Sequence, residues 1–262
     1  MFRHFLFLLA VFTLAAPAPA QEESAQTRYA DAKGAFDQGD FNGARKIAEK
    51  MLTQGQLSRE VFQLLGNAHY RLGHLGEASL SFKRANLFPP VEPEVKQNLA
   101  HIRDRTGHLS FPRSAFRDQY AGFLGRTQWF ITAVSAAWVA IGSFVLAIFL
   151  RRGSPLRVGL VFVRVLAVIV AVLAGLGWYW RPSFERIEKV AIVTVPDTKA
   201  YTAATITAGT VSSLPPGSEI LRLEDRGIWS YVEIPGEDQN RRGWVQNAAF
   251  EPLWPYQRGY LE

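Results

Sequence analysis

The stretch WFITAVSAAWVAIGSFVLAIFL, residues 129–150, is followed at once by RRGSPLR, 151–157, and VGLVFVRVLAVIVAVLAGLGWYW, 158–180. The first run has no charge in twenty-two residues, and the second is interrupted only by Arg164. At ~1.5 Å per residue, either run is long enough as a helix to cross a bilayer core of about 30 Å. The spacing predicts two transmembrane helices, 129–150 and 158–180, joined by the turn 151–157. Trp129 opens the first helix and Trp178, Tyr179 and Trp180 close the second, so a hairpin brings these aromatic rings to one membrane face.

The turn carries Arg151, Arg152 and Arg157 and no acid, which places it in the cytoplasm by the positive-inside rule. Everything before Trp129 and after Trp180 is then expected outside, on a bacterial inner (cytoplasmic) membrane. The first twenty residues agree: MFRH is a basic leader, FLFLLAVFTLAA an apolar core of signal-peptide length, and APAPA a small-residue cleavage pattern. Residues 1–20 are therefore expected to be a signal peptide. Arg164 lies seven residues beyond Arg157, about 10 Å into the span by helix rise. Two readings stand for it: its long stem reaches back to the headgroups, or its charge meets an acid on a partner's membrane helix.

Composition narrows the classes. The chain has no cysteine, which excludes disulfides, thiolate metal sites and thiol nucleophiles. Its formal charge is +6, a value that on its own suggests nucleic acid. Membrane-flanking arginines and solvated helix faces account for the excess, and an extracytoplasmic location argues against nucleic acid. There is no HExxH, GxSxG or phosphate-cradling loop, and His69 and His74, five residues apart, do not share a helical face. No enzyme, metal or cofactor is expected.

Residues 21–107 are polar and helical in period. Aligned on itself, the segment repeats every thirty-four residues: Gly39 falls on Gly73, Phe41 on Leu75 and Ala44 on Ala78. In REVFQLLGNAHYRLGHLGEASLSFKRANLFPP, Phe62, Leu65, Gly66, Gly73, Ala78, Phe82, Ala85 and Pro90 stand at the offsets of the tetratricopeptide family, which this copy resembles closely. The copies are expected at about 25–58 and 59–92, with 93–107 as a capping helix that turns Val95, Leu99 and Ile102 to one face. The first copy departs from the family pattern, with Arg28, Asp31 and Ala32 at the aromatic, Leu and Gly positions. The resemblance implies a groove that binds an extended peptide or a partner's helix. It is lined at the corresponding offsets by Tyr29, Lys33, Phe36, Gln63, Asn67, Tyr70, Gln97 and His101. Phe36 and Tyr70 are equally readable as packing residues.

Between the repeats and the hairpin, residues 108–128 alternate aromatics with arginines, as a short interfacial helix or a tether would. After the hairpin, KVAIVTV, GTVSSL, SEILRLE, SYVEI and GWVQN read as short strands separated by turns. They predict a small all-β barrel over 187–253 and a tail over 254–262. The order Pro216-Gly217, Gly227-Ile228-Trp229, Gly243-Trp244-Val245 resembles the bacterial SH3-like domain, which implies a ligand face at Trp229, Tyr231 and Trp244 and peptidoglycan as a ligand. These rings are equally readable as core. The segment 198–207 lacks that family's Asn-Val-Arg string.

The expectation is thus a multidomain membrane protein: an all-α repeat domain, two transmembrane helices and an SH3-like barrel. That layout resembles the E component of the Bacteroides aerotolerance (Bat) systems, the BatE family. The likeness is densest over LLGNAHYRLGHLGEASLSFKRANLFPPVEPEVKQNLA, residues 64–100, with Asn67 and Asn98. It implies a scaffold in envelope stress tolerance, working with von Willebrand A-domain membrane proteins and a MoxR-type ATPase. A cell-wall sensor acting through the barrel is the alternative.

Overall fold

The computed structural model describes residues 19–112, 114–151, 153–236, 239–257 and 259. Most of the expected signal peptide lies outside them. Five helices come first: α1 (Pro19–Asp37), α2 (Phe41–Thr53), α3 (Arg59–Arg71), α4 (Leu75–Ala85) and α5 (Pro93–Thr106). The thirty-four-residue period is visible in the backbone. Gly39, Gly73 and Gly107 follow α1, α3 and α5 with φ of 85°, 81° and 65°. An L side chain resists this left-handed conformation, whereas glycine takes it freely and so ends each helix. The period therefore runs through α5, which starts thirty-four residues after α3. Asp40 and Ser58 start α2 and α3 by accepting hydrogen bonds from the backbone N–H groups of Gly43 (2.8 Å) and Val61 (3.3 Å).

Phe62, Phe82, Val95 and Ile102 fill the helical core beside Ala78 and Ala85. Each large apolar side chain removed from water contributes about 1.5–3 kcal/mol. A Cβ on Gly66 would stand 2.9 Å from the Phe82 ring, so the α3–α4 approach depends on its absence.

Among the described residues, two helices are long and apolar enough to cross a membrane: α7 (Arg126–Phe149) and α8 (Pro155–Trp180). They pack side by side through small residues, Ala136, Ser143 and Ala147 against Ala167, Ala174 and Gly177, and Trp129 lies on Gly177. Phe130, Trp138, Phe149, Phe162 and Leu166 remain more than half exposed on the outer faces. The turn is tighter than the expected 151–157, because α8 begins at Pro155 behind the Ser154 cap. In the preceding linker, Ala115–Ala121 forms a helix, α6.

After α9 (Phe184–Lys189) come seven antiparallel strands: β1 (Val190–Val193), β2 (Thr198–Tyr201), β3 (Thr210–Leu214), β4 (Glu219–Arg226), β5 (Trp229–Ile234), β6 (Arg241–Gln246) and β7 (Phe250–Pro252), in the order β3-β2-β6-β5-β4-β1-β7. Two of them, β2 and β7, were not expected, and residues 187–189 belong to α9. All seven strands feed one apolar cluster that includes Val193, Ala200, Leu214, Ile220, Val232, Val245 and Phe250. The sheet therefore curls about a core of its own.

The helices and the sheet meet along α4. One side of α4 enters the helical core through Ala78, Phe82 and Ala85, while Leu80 joins Val190, Ile192 and Leu253 of the sheet. Gly76 is pressed so closely to Thr194 that a Cβ would fall 2.3 Å from its carbonyl oxygen. The run VAIV is buried at every position because Ala191 and Val193 face the sheet core while Val190 and Ile192 face the helices. Residues 254–256 do not form a free tail. Trp254 is buried 5.9 Å from Phe62 and 5.8 Å from Phe88, ring to ring, and Tyr256 packs beside it.

Candidate functional site

The expected groove residues lie on α1, α3 and α5, and the structure joins some of them. The Tyr70 hydroxyl is 2.8 Å from Nε2 of His101 and accepts a hydrogen bond from Nη1 of Arg105 at 3.0 Å. Arg105, one helical turn beyond His101 on α5, is a member that the sequence reading missed and that i,i+4 spacing would have found. Nδ2 of Asn98 lies 3.4 Å from Oδ1 of Asn67. Gln63, Asn67 and Tyr70 are half-buried, while Gln97 and His101 are exposed.

The α1 members make their contacts elsewhere. Lys33 pairs with Asp37 at 3.1 Å, and Phe36 packs edge-on to Phe41 at 5.2 Å. Tyr29 leans on the helical core, and its phenol pKa is raised, by burial first and then by the carboxylate of Glu60. Phe36 and Tyr29 thus serve packing.

On the sheet, Tyr231 pairs across strands with Trp244, and Trp244 with Tyr201. Tyr231 and Trp244 have ring centroids 5.2 Å apart, and Trp229 meets Tyr201 edge-on at 5.8 Å. Alternation turns these four rings away from the core cluster, to which Val232 and Val245 belong. Tyr231, Trp244 and Tyr201 are half-buried, and Trp229 is buried. Tyr201 was missed because it lies on the strand that went unread.

Arg164 turns across the hairpin and not back toward the turn. Its Nη2 makes a long hydrogen bond, 3.4 Å, to the Ser143 carbonyl, and its guanidinium lies 4.9 Å from the Phe144 ring centroid. Ser143 is seven residues before Leu150, a depth matching that of Arg164.

A polar cavity of about 540 Å³ that the sequence did not announce lies between α2, α4 and the chain after β7. It brings His69 and His74 together, with ring centroids 5.7 Å apart, where the spacing had suggested separation. The turn at Gly73 after α3, closed by the His74 N–H donating to the His69 carbonyl at 2.9 Å, brings His74 back over the end of the helix. Burial, then His74, then Arg45 lower the His69 pKa to about 4, so this imidazole is neutral at physiological pH. Among the described residues, no group of three His, Cys, Asp or Glu side chains is placed to hold a metal ion.

No family model, no curated protein and no solved structure matches the chain.

Proposed function

We propose that this protein is a non-enzymatic, membrane-anchored scaffold that binds a protein partner through the face formed by α3 and α5. The arrangement of its surfaces carries the reading. The sheet occupies α4, while Gln63, Asn67, Tyr70, Gln97 and His101 keep polar groups accessible on another face. The thirty-four-residue backbone period and the Gly66–Phe82 contact support assigning the helices to the tetratricopeptide type. In this reading α7 and α8 cross the cytoplasmic membrane, the arginine-bearing turn is inside, and the helical and β units are outside. Partners of the kind implied by the Bat resemblance, von Willebrand A-domain membrane proteins linked to a MoxR-type ATPase, fit this placement.

The test is crosslinking in membranes followed by purification of the tagged chain and identification of what accompanies it. Because the sheet packs on α4, point substitutions are used that leave that junction intact. Gln97→Ala with His101→Ala, both exposed, should cut recovery of the partner about tenfold while thermal unfolding of the chain changes little. Unchanged recovery refutes the groove.

The aromatic row Tyr201, Trp244 and Tyr231 favours a second reading, a cell-wall sensor whose SH3-like unit stacks on peptidoglycan. Sedimentation of the full chain with purified sacculi tests it. Retention lost on Tyr231→Ala with Trp244→Ala supports the sensor, and no retention of the wild type removes it.

A further inference from the structure

At the foot of α8 a cavity of about 590 Å³ opens between α5, the linker before α6 and the start of the β unit. One helix face builds much of its wall. Lys96, Leu99, Ala100 and Arg103 follow the i, i+3, i+4, i+7 pattern of α5, so two exposed cations flank two apolar side chains on a single face. Opposite them stand Trp180, Arg181 and Pro182, where α8 ends. Arg181 is locked in place by Nη2 donating to the Leu87 carbonyl at 2.6 Å. Lys83, also on the wall, is matched by Glu219 at 2.6 Å, which leaves Lys96, Arg103 and Arg181 facing one further acid, Asp118.

Two other observations define a ligand. Oδ1 of Asn86, which lines the cavity, is buried without a hydrogen-bond partner. Turning this amide over offers an N–H donor in the same place. Around the end of α8, whose Trp180 lines the cavity, stand the mixed aromatic and cationic groups of a membrane interface: Arg117 lies 5.5 Å over Trp180, Arg126 4.7 Å over Trp178, and Tyr120 stacks on Trp129 at 5.2 Å. A wall that is half apolar and carries Lys83, Lys96, Arg103 and Arg181 against Asp118 and Glu219, at the end of an apolar helix, suits an anionic amphiphile better than a soluble anion.

We infer that this cavity binds the headgroup of an anionic phospholipid, its phosphate held by Lys96, Arg103 and Arg181 and its glycerol end by the Asn86 amide, with the acyl chains running down α8. The inference rests on α7 and α8 crossing a membrane. It adds a lipid site independent of the α3–α5 groove.

The experiment reconstitutes the full chain with equimolar phosphatidylglycerol and phosphatidylcholine and counts the lipids retained by native mass spectrometry. The wild type should keep phosphatidylglycerol over phosphatidylcholine about tenfold. Lys96→Glu with Arg103→Glu should bring the two to parity, whereas Lys46→Glu with Lys50→Glu, the same charge change on exposed α2, should leave the preference intact. No preference in the wild type, or equal loss in both variants, overturns the site. Displacement of the lipid by millimolar glycerol phosphate overturns the amphiphile assignment. Extraction of the wild type by alkaline carbonate would instead refute the membrane reading, and a chain that stays in the membrane without lipid preference refutes only this inference.

Discussion

Nζ of Lys83 on α4 stands 2.6 Å from Oε1 of Glu219 on β4, and the two side chains are 12% and 4% exposed. The backbone N–H of Phe111 donates to the second carboxylate oxygen at 3.2 Å, so one buried acid ties together a helix, the linker and the sheet. Lys83→Met alone leaves that carboxylate buried and should destabilise the chain by about 3–5 kcal/mol. Replacing Glu219 by Gln as well should recover part of the loss, because the buried carboxylate charge is then removed together with the lysine's. Thermal unfolding of the two single variants and the double measures the coupling. A coupling below about 1 kcal/mol would show that the junction does not depend on the pair.

Trp254→Ala should cost about 3–5 kcal/mol, the range for removing a large buried aromatic. The damage should appear at a distance in sequence, because Trp254 packs on Phe62 and Phe88. Limited proteolysis should then cut α3 and α4 sooner. Cleavage confined to residues beyond 253 would show that the segment is an appendage.

Acid should loosen the soluble part of the molecule. His69 and His108 both have pKa values lowered to about 4, chiefly by burial, and Lys83 adds to the effect at His108. Unfolded histidine titrates near 6.5, so between about pH 6.5 and 4 the unfolded chain binds more protons than the folded one. Stability is therefore complete above about 6.5, falls as pH drops toward 4, and levels off below. Each histidine contributes up to about 3 kcal/mol over that window. The unfolding midpoint of His69→Gln should fall less steeply between pH 7 and 5 than that of the wild type; parallel curves would contradict the assignment.

The absence of cysteine makes orientation measurable without background. Gly153→Cys, in the turn, should react with a membrane-impermeant maleimide only after the cells are opened. Ile206→Cys, exposed between β2 and β3, should react in intact spheroplasts. The reverse pattern would invert the topology.

The α3–α4 pair and the two long helices were legible because each writes its own period: apolar positions at helical spacing around Gly66, and unbroken apolar runs around the turn. Strands β3 to β6 were legible from alternation between glycine-rich turns. Strand β2, TKAY, was not, because four residues with a lysine among them carry too little pattern. The helix–sheet junction was hidden for a different reason. Beside Leu80, its α4 side is made of Gly76, Ser79, Lys83 and Arg84, residues that ordinarily mark a wet face, and Arg84 is buried while donating to the carbonyls of Pro252 and Leu253. The one available clue was VAIV, apolar at consecutive positions where a half-exposed strand alternates. In the groove, residue types showed a polar face but not that His101 and Arg105 share the Tyr70 hydroxyl.

Helix α4 is covered on both sides, so the helical and β units have no hinge between them. A partner seized by one unit meets a block held to the hairpin at two points, through α6 before α7 and through Arg181 after α8. Such a block sweeps a shell of nearly constant radius above its anchor, where a flexible tether would explore a volume that grows with its length. Under the proposed scaffold role, capture is selective for height: a segment presented at that distance from the bilayer is met at high local concentration, and the same segment displaced along the membrane normal is scarcely met at all.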